Sequence, residues 1–267
     1  MTNKWLKVAL MVTAIATGTS IKIDAETVLY VPQDDRPVSL QYTVDTAREA
    51  GMTVLTPPQH LISGKTYQGQ ADQIMAWVEQ NAGRADVMVL STDTLIYGGL
   101  VDSRKHNIPL STLQNRLKRI EGLKARNKNV RIYGFGTVMR SPRASGGGTE
   151  PAYYAEYGPT IFQIAALQDK LDSGSLTQEE TQKLMSLQAS VPVEYLQDWF
   201  DRRQKNMKIN KELIDETRSG VFDYFALGHD DTSQLSQSAL EGRYLNKYSK
   251  DISVEKYGSF PGADQLG

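Results

Sequence analysis

Asp86-Val-Met-Val-Leu90, then residues 110–125 with Leu113, Leu117, Ile120 and Leu123 at helical spacing, then Val130-Arg-Ile-Tyr-Gly-Phe135, decide the fold. A short apolar strand, an amphipathic helix and a second short strand form a crossover unit, the connection that parallel strands require. The same alternation extends toward the N-terminus. Thr27-Val-Leu-Tyr-Val31 reads as a buried strand ending at Pro32, residues 44–50 as a helix stopped by Gly51, and Thr53-Val-Leu55 as a strand closed by Pro57-Pro58. Residues 67–80 read as a helix with Ile74, Trp77 and Val78 on one face. Three strand-then-helix passages in a row predict right-handed crossovers and a parallel sheet. Toward the C-terminus, residues 151–219 read as almost wholly helical, with polar breaks at Ser173-Gly174 and Val191-Pro192, before a fifth strand in Phe222-Asp-Tyr-Phe-Ala-Leu227. Residues 258–267 read as loop. The expected class is α/β: a mostly parallel sheet with crossover helices, either open and doubly wound or part of a β/α barrel, with a helical insertion around 151–219. Five strands are too few to close an eight-stranded barrel.

Composition narrows the chemistry. Thirty basic and 31 acidic residues leave a net charge of −1, so nothing global drives the chain toward nucleic acid. The absence of cysteine excludes disulfides, thiolate metal sites and cysteine nucleophiles. With only three histidines, His60, His106 and His229, a metal would be held mainly by oxygen, which favours Mg²⁺, Ca²⁺ or Mn²⁺. Lys4 and Lys7, an apolar run over residues 8–17, and Ile23-Asp-Ala25 follow the order of a secretory signal; the run is shorter than the roughly 20 residues a bilayer span needs. Residues 1–25 are therefore expected to be a signal peptide and 26–267 a single α/β domain, secreted or held in the cell envelope, with no membrane contact after cleavage.

Polar clusters follow the expected strands, where α/β folds place their sites. Gln33-Asp34-Asp35-Arg36-Pro37 follows the first; an adjacent acid pair calls for a cation, a shared proton or an arginine, unless it is a solvated turn. Ser91-Thr-Asp93-Thr94, with Leu95-Ile-Tyr97-Gly-Gly-Leu100 and Arg104, follows the third; Asp93 reads equally as a site acid or a helix cap, and Gly98-Gly99 as a close ligand approach or a tight turn. Arg140 follows the fourth, ahead of a Ser145-Gly-Gly-Gly148 run that suits a lid or a linker. Arg203, Asn206 and Asn210 share a helix face at three- and four-residue spacing, a pattern that fits a solvated stripe as well as a binding one. Gly228-His-Asp230-Asp231 follows the fifth strand. There one carboxyl can act as a general acid while its neighbour stays ionised, or the pair with an acid from another strand can hold a hard cation; a helix cap with a first-turn acid is the simpler but lesser alternative.

Along these motifs the chain resembles a bacterial family catalogued as domain of unknown function 4127. The likeness rests on Val31-Pro-Gln-Asp-Asp-Arg-Pro37, Leu95 to Leu100 with Ser103-Arg104, Arg140-Ser-Pro142, Tyr153-Tyr154, Tyr157-Gly158, Arg202-Arg203 with Asn206 and Asn210, Asp230-Asp231, and Pro261-Gly-Ala-Asp264. It runs collinearly from about residue 28 to the end, and Gln265 departs from the acid expected there. The resemblance implies that the clusters form one site, and that relatives continue beyond the last motif. It implies no reaction.

The functional expectation is a glycosidase-like hydrolase using general acid/base chemistry, with Asp230, Asp231, Asp93 and Asp35 as the catalytic carboxylates. Asp34, Arg36, Tyr97, Arg104, Arg140, Arg203 and Asn206 are expected to contact a small-molecule or glycan substrate, with no cofactor beyond an optional divalent cation. Two alternatives stand beside it. One is a hydrolase in which Asp34, Asp35, Asp93 and Asp230 gather a divalent metal; the other is a carbohydrate- or cell-wall-binding protein without turnover.

Overall fold

A computed structural model describes residues 25–144, 147–230 and 233–264. The expected signal segment, and Asp231 among the expected catalytic residues, lie outside the described residues. Six strands, β1 (Thr27–Val31), β2 (Thr53–Leu55), β3 (Val87–Ser91), β4 (Arg131–Val138), β5 (Tyr224–His229) and β6 (Tyr257–Pro261), form one open sheet in the order β2-β1-β3-β4-β5-β6. Every neighbouring pair is parallel. The barrel alternative is thereby set aside in favour of the open sheet.

The crossovers are α1 (Gln41–Glu49), α2 (Ala71–Asn81) and α5 (Leu110–Arg126), with α9 (Gln237–Tyr248) between β5 and β6. Two short helices, α3 (Thr92–Ile96) and α4 (Leu100–Lys105), occupy the connection after β3. The predicted insertion is α6 (Tyr154–Asp172), α7 (Gln178–Ser190) and the 27-residue α8 (Val193–Ser219), divided where the polar breaks stand.

Strand alternation sorts the core. Leu29, Val31, Met88, Leu90, Ile132 and Leu227 point to one face and pack with Ile74, Val78, Leu113, Leu117, Ile120, Leu213 and Ile214 from α2, α5 and α8. Tyr30 and Phe135 point to the other face and pack with Val44 of α1. The insertion has a core of its own, built on Tyr154, Ile161, Ile164, Leu184 and Trp199. One helix joins the two: α8 puts Trp199 into the insertion and Ile209, Leu213 and Ile214 under the sheet. None of the described helices is long and apolar enough to cross a membrane.

Two expectations at the sequence level need correction. Residues 258–261 belong to a strand: β6 pairs with β5 from Tyr257 to Phe260, an edge position that asks little apolar character of Gly258, Ser259 and Pro261. The helix expected over 67–80 begins at Ala71, because the Gln70 N–H is tied to the Leu61 carbonyl and the Tyr67 hydroxyl to Asp35.

Candidate functional site

The chain runs from β1 outward to β2, returns past β1 to β3, and then continues outward to β6. The strand order therefore reverses between β1 and β3, and loops leaving a sheet on either side of such a reversal diverge and leave a crevice at the carboxyl ends. A cleft of about 290 Å³ lies at those ends, lined by Asp34, Arg36, Lys65, Leu100, Val101, Arg104, Arg140, Thr149, Asp230 and Asp264. The segments following β1, β3, β4, β5 and β6 all contribute to it.

Its charges are paired across the loops. Arg36 Nε donates to Asp34 Oδ2 at 2.8 Å, and Arg36 Nη2 donates to Asp264 Oδ1 at 2.7 Å, which closes the end of β6 onto the end of β1. Arg104, on α4, donates Nη2 to Asp230 at the tip of β5. Arg140 holds Glu150 and the Thr149 hydroxyl, fixing the far flank of the glycine run. Burial pushes the Asp230 carboxyl above the usual range, against the opposing pull of the Arg104 and Arg140 guanidiniums. The helix after Asp230 starts only at Gln237 and is capped by Ser236, so Asp230 is not a helix cap.

Asp93 lies beneath this cleft and does not line it. It sits in the first turn of α3, whose cap is Ser91, and it accepts hydrogen bonds from Thr137 Oγ1 at 2.7 Å and Gln33 Nε2 at 3.4 Å. Burial pushes its carboxyl up to about 6, resisted by those two donors. Asp35 also stands outside the lining: its backbone N–H is bonded to the Ser63 carbonyl and its side chain to the Tyr67 hydroxyl.

Tyr97, Arg203 and Asn206, expected as substrate contacts, face protein instead. Tyr97 stacks on His106 at 4.9 Å between ring centroids. Arg203 forms a bidentate pair with Glu241, Nε and Nη2 each at 2.8 Å, and also donates to the carbonyls of Met139 at 2.7 Å and Arg140 at 2.9 Å. Asn206 donates to the Ser103 carbonyl at 2.9 Å and Asn210 to the Thr137 carbonyl at 3.3 Å, while Arg202 Nε reaches the His106 carbonyl at 2.6 Å. The stripe on α8 is therefore buried and bonded to protein, and none of it lines this cleft. It clamps the backbone of the segments that carry Arg104 and Arg140.

His106 belongs to the same clamp. Its Nδ1 accepts from the Ile108 N–H at 3.3 Å, which leaves the proton on Nε2 to donate to Asn206 Oδ1 at 2.7 Å. Burial drives its pKa down to about 4, so the ring is neutral at ordinary pH.

Gly98 and Gly99 serve packing. A Cβ on Gly69 would stand 1.9 Å from the Gly98 carbonyl oxygen, and one on Gly99 would stand 1.8 Å from Ser63 Oγ. The loop carrying Lys65 can approach the α3–α4 connection only because these positions have no side chain.

Sequence reasoning missed Lys65, Leu100, Val101, Thr149 and Asp264 as cleft residues. Asp264 carried a signal, since it closes a motif of the family resemblance; Lys65 carried none. Among the described residues no three His, Asp or Glu side chains come together to hold a metal, so Asp34, Asp35, Asp93 and Asp230 do not assemble the donor set of a divalent site.

No curated protein and no solved structure matches the chain. A family model does, across residues 28–267, and the chain belongs to that family, described as Protein of unknown function (DUF4127).

Proposed function

We propose that this chain is an exported hydrolase that acts on glycans in the cleft by general acid/base catalysis, with Asp230 as the proton donor. The observation that carries the reading is the pairing of carboxylates and guanidiniums around a half-enclosed cleft. Asp34–Arg36–Asp264, Asp230–Arg104 and Glu150–Arg140 set acceptors beside donors in fixed geometry. A sugar ring presents hydroxyls that each donate and accept, so rigid acid–arginine pairs bind it at several points at once. Leu100 and Val101 offer an apolar surface to the C–H face of a ring.

In this mechanism Asp230, raised by burial, protonates the leaving oxygen, and Arg104 and Arg140 stabilise the carboxylate that forms. Asp34, across the cleft, orients the substrate or activates water. Asp231, next in sequence, takes the orienting or stabilising role. Asp93 supports the floor through Thr137 and Gln33. The basic start, apolar run and small residue at Ala25 support export.

The test is release of reducing ends from a panel of cell-wall and capsular polysaccharides. Asp230→Asn should lower turnover by at least about 100-fold, the usual contribution of a positioned acid, with binding retained. Full turnover in that variant would refute the assignment. Saturable binding with no turnover in the native chain would favour a carbohydrate-binding protein.

A further inference from the structure

We infer that the ligand of this cleft carries an oxyanion (a carboxylate, sulfate or phosphate) and that Arg104 and Lys65 receive it. This rests on the glycan reading for the body of the ligand and goes beyond it in naming the substituent. Three observations lead there. First, four cations line the cleft, Arg36, Lys65, Arg104 and Arg140; Arg36 holds Asp34 and Asp264, Arg104 holds Asp230 and Arg140 holds Glu150, while Lys65 adds a charge none of these acids pairs. Second, Arg104 is only 4% exposed, and its Nε–H has no partner among the described residues although its Nη2 holds Asp230. A buried guanidinium N–H without an acceptor is costly, and a ligand oxygen relieves that cost most fully when it is charged. Third, Lys65 lies exposed on the cleft with no acidic partner among the described residues.

The placement of the arginines points the same way. Arg104 and Arg140 act together on Asp230, and the Arg140 charge joins burial in pulling the Arg104 pKa down. Two guanidiniums in one part-buried cleft repel one another. Asp230 and Glu150 offset part of that repulsion, and an incoming oxyanion offsets more. The arginine fork matches a two-oxygen anion in shape, whereas a lysine at the rim contributes a flexible point charge. Together they suit a planar carboxylate such as that of a uronic acid, or a sulfate or phosphate ester on a sugar.

The experiment is isothermal titration calorimetry of the full chain with matched pairs, galacturonate against galactose and glucuronate against glucose, and with inorganic sulfate and phosphate. An acidic sugar should bind about tenfold more tightly than its neutral partner, as one additional charge-assisted hydrogen bond dictates. Lys65→Met, an exposed change that leaves the thermal midpoint in place, should narrow the ratio to about threefold; Arg104→Lys, which keeps charge and loses the fork, should narrow it further. Equal binding of acidic and neutral sugars would overturn the inference and leave the glycan reading standing. Binding of sulfate or phosphate with no sugar bound would support the inference and remove the glycan reading. No binding of any probe, or an acid preference untouched by both variants, would overturn the inference.

Discussion

Replacing Arg203 with Met tests the clamp on which the cleft depends. The Arg203 side chain is fully buried, lies over the Trp199 ring at 4.7 Å, and gives both ends of its fork to Glu241. Met preserves the apolar stem against Trp199 and removes the charge. Glu241, 8% exposed, then keeps, among the described residues, a 3.2 Å hydrogen bond from Gln237, and the Met139 and Arg140 carbonyls lose their guanidinium donors. Breaking a buried pair from one side costs about 3–5 kcal/mol, because the remaining charge is stranded. For a chain of this size that corresponds to a fall in thermal midpoint on the order of 10 °C. Arg203→Met/Glu241→Gln removes the stranded charge and should recover roughly 2 kcal/mol or more of the loss, a coupling characteristic of direct partners. The assay is urea denaturation followed by tryptophan fluorescence, with all four corners of the cycle measured in one buffer. A single-variant cost below about 1 kcal/mol, or a double variant whose cost is the sum of the singles, would refute the reasoning.

Asp93→Asn should flatten the pH dependence of stability. The folded carboxyl titrates at about 6 and the unfolded one near 3.9, so the folded state holds its proton more tightly; this group alone should contribute a loss of about 3 kcal/mol as pH rises from below 4 to above 6, a contribution the variant lacks. Glu216, pushed up to about 7 by burial and by Glu121, adds its own loss from roughly pH 4.3 to 7, so the comparison is made in a Glu216→Gln background; an unchanged profile on adding Asp93→Asn between pH 4 and 6 counts against the assignment. Gly69→Ala should cost about 1–3 kcal/mol and weaken ligand binding, because its Cβ drives the Lys65 loop off the Gly98 carbonyl; a neutral substitution by chemical denaturation contradicts the packing argument. Tyr97→Phe should be neutral or stabilising by about 1 kcal/mol, since the buried hydroxyl has no partner among the described residues; destabilisation in a thermal melt would mean that the hydroxyl is bonded.

Much of the fold was legible because burial writes itself into apolar spacing. The residues of α5 that carry helical periodicity, Leu113, Leu117, Ile120 and Leu123, are the ones buried against the sheet, and the breaks at Ser173-Gly174 and Val191-Pro192 are where the insertion turns. What stayed hidden was decided by partners far along the chain. β6 forms an edge strand through backbone pairing with β5, which leaves little trace in Gly258-Ser-Phe-Pro261. Lys65 joins the cleft because Gly69 and Gly99 permit a close loop contact, and no local pattern announces that.

The stripe on α8 shows why the site was harder to read than the fold. Polar residues at three- and four-residue spacing satisfy the pattern of a solvated face, yet Arg202, Arg203, Asn206 and Asn210 are among the most buried polar groups in the chain. Their partners are backbone carbonyls at the ends of β4 and α4, groups that every residue possesses and that side-chain patterning cannot mark. A parallel sheet leaves the carbonyls of its outgoing segments without ladder partners, and those carbonyls require donors when buried. By donating to them, α8 fixes the segments from which Arg104 and Arg140 reach the cleft. The motifs that looked like separate binding clusters therefore divide by direction: Asp34, Arg36, Arg104, Arg140 and Asp230, on the segments leaving the strands, line the cleft, and those on α8 face the backbone of these segments.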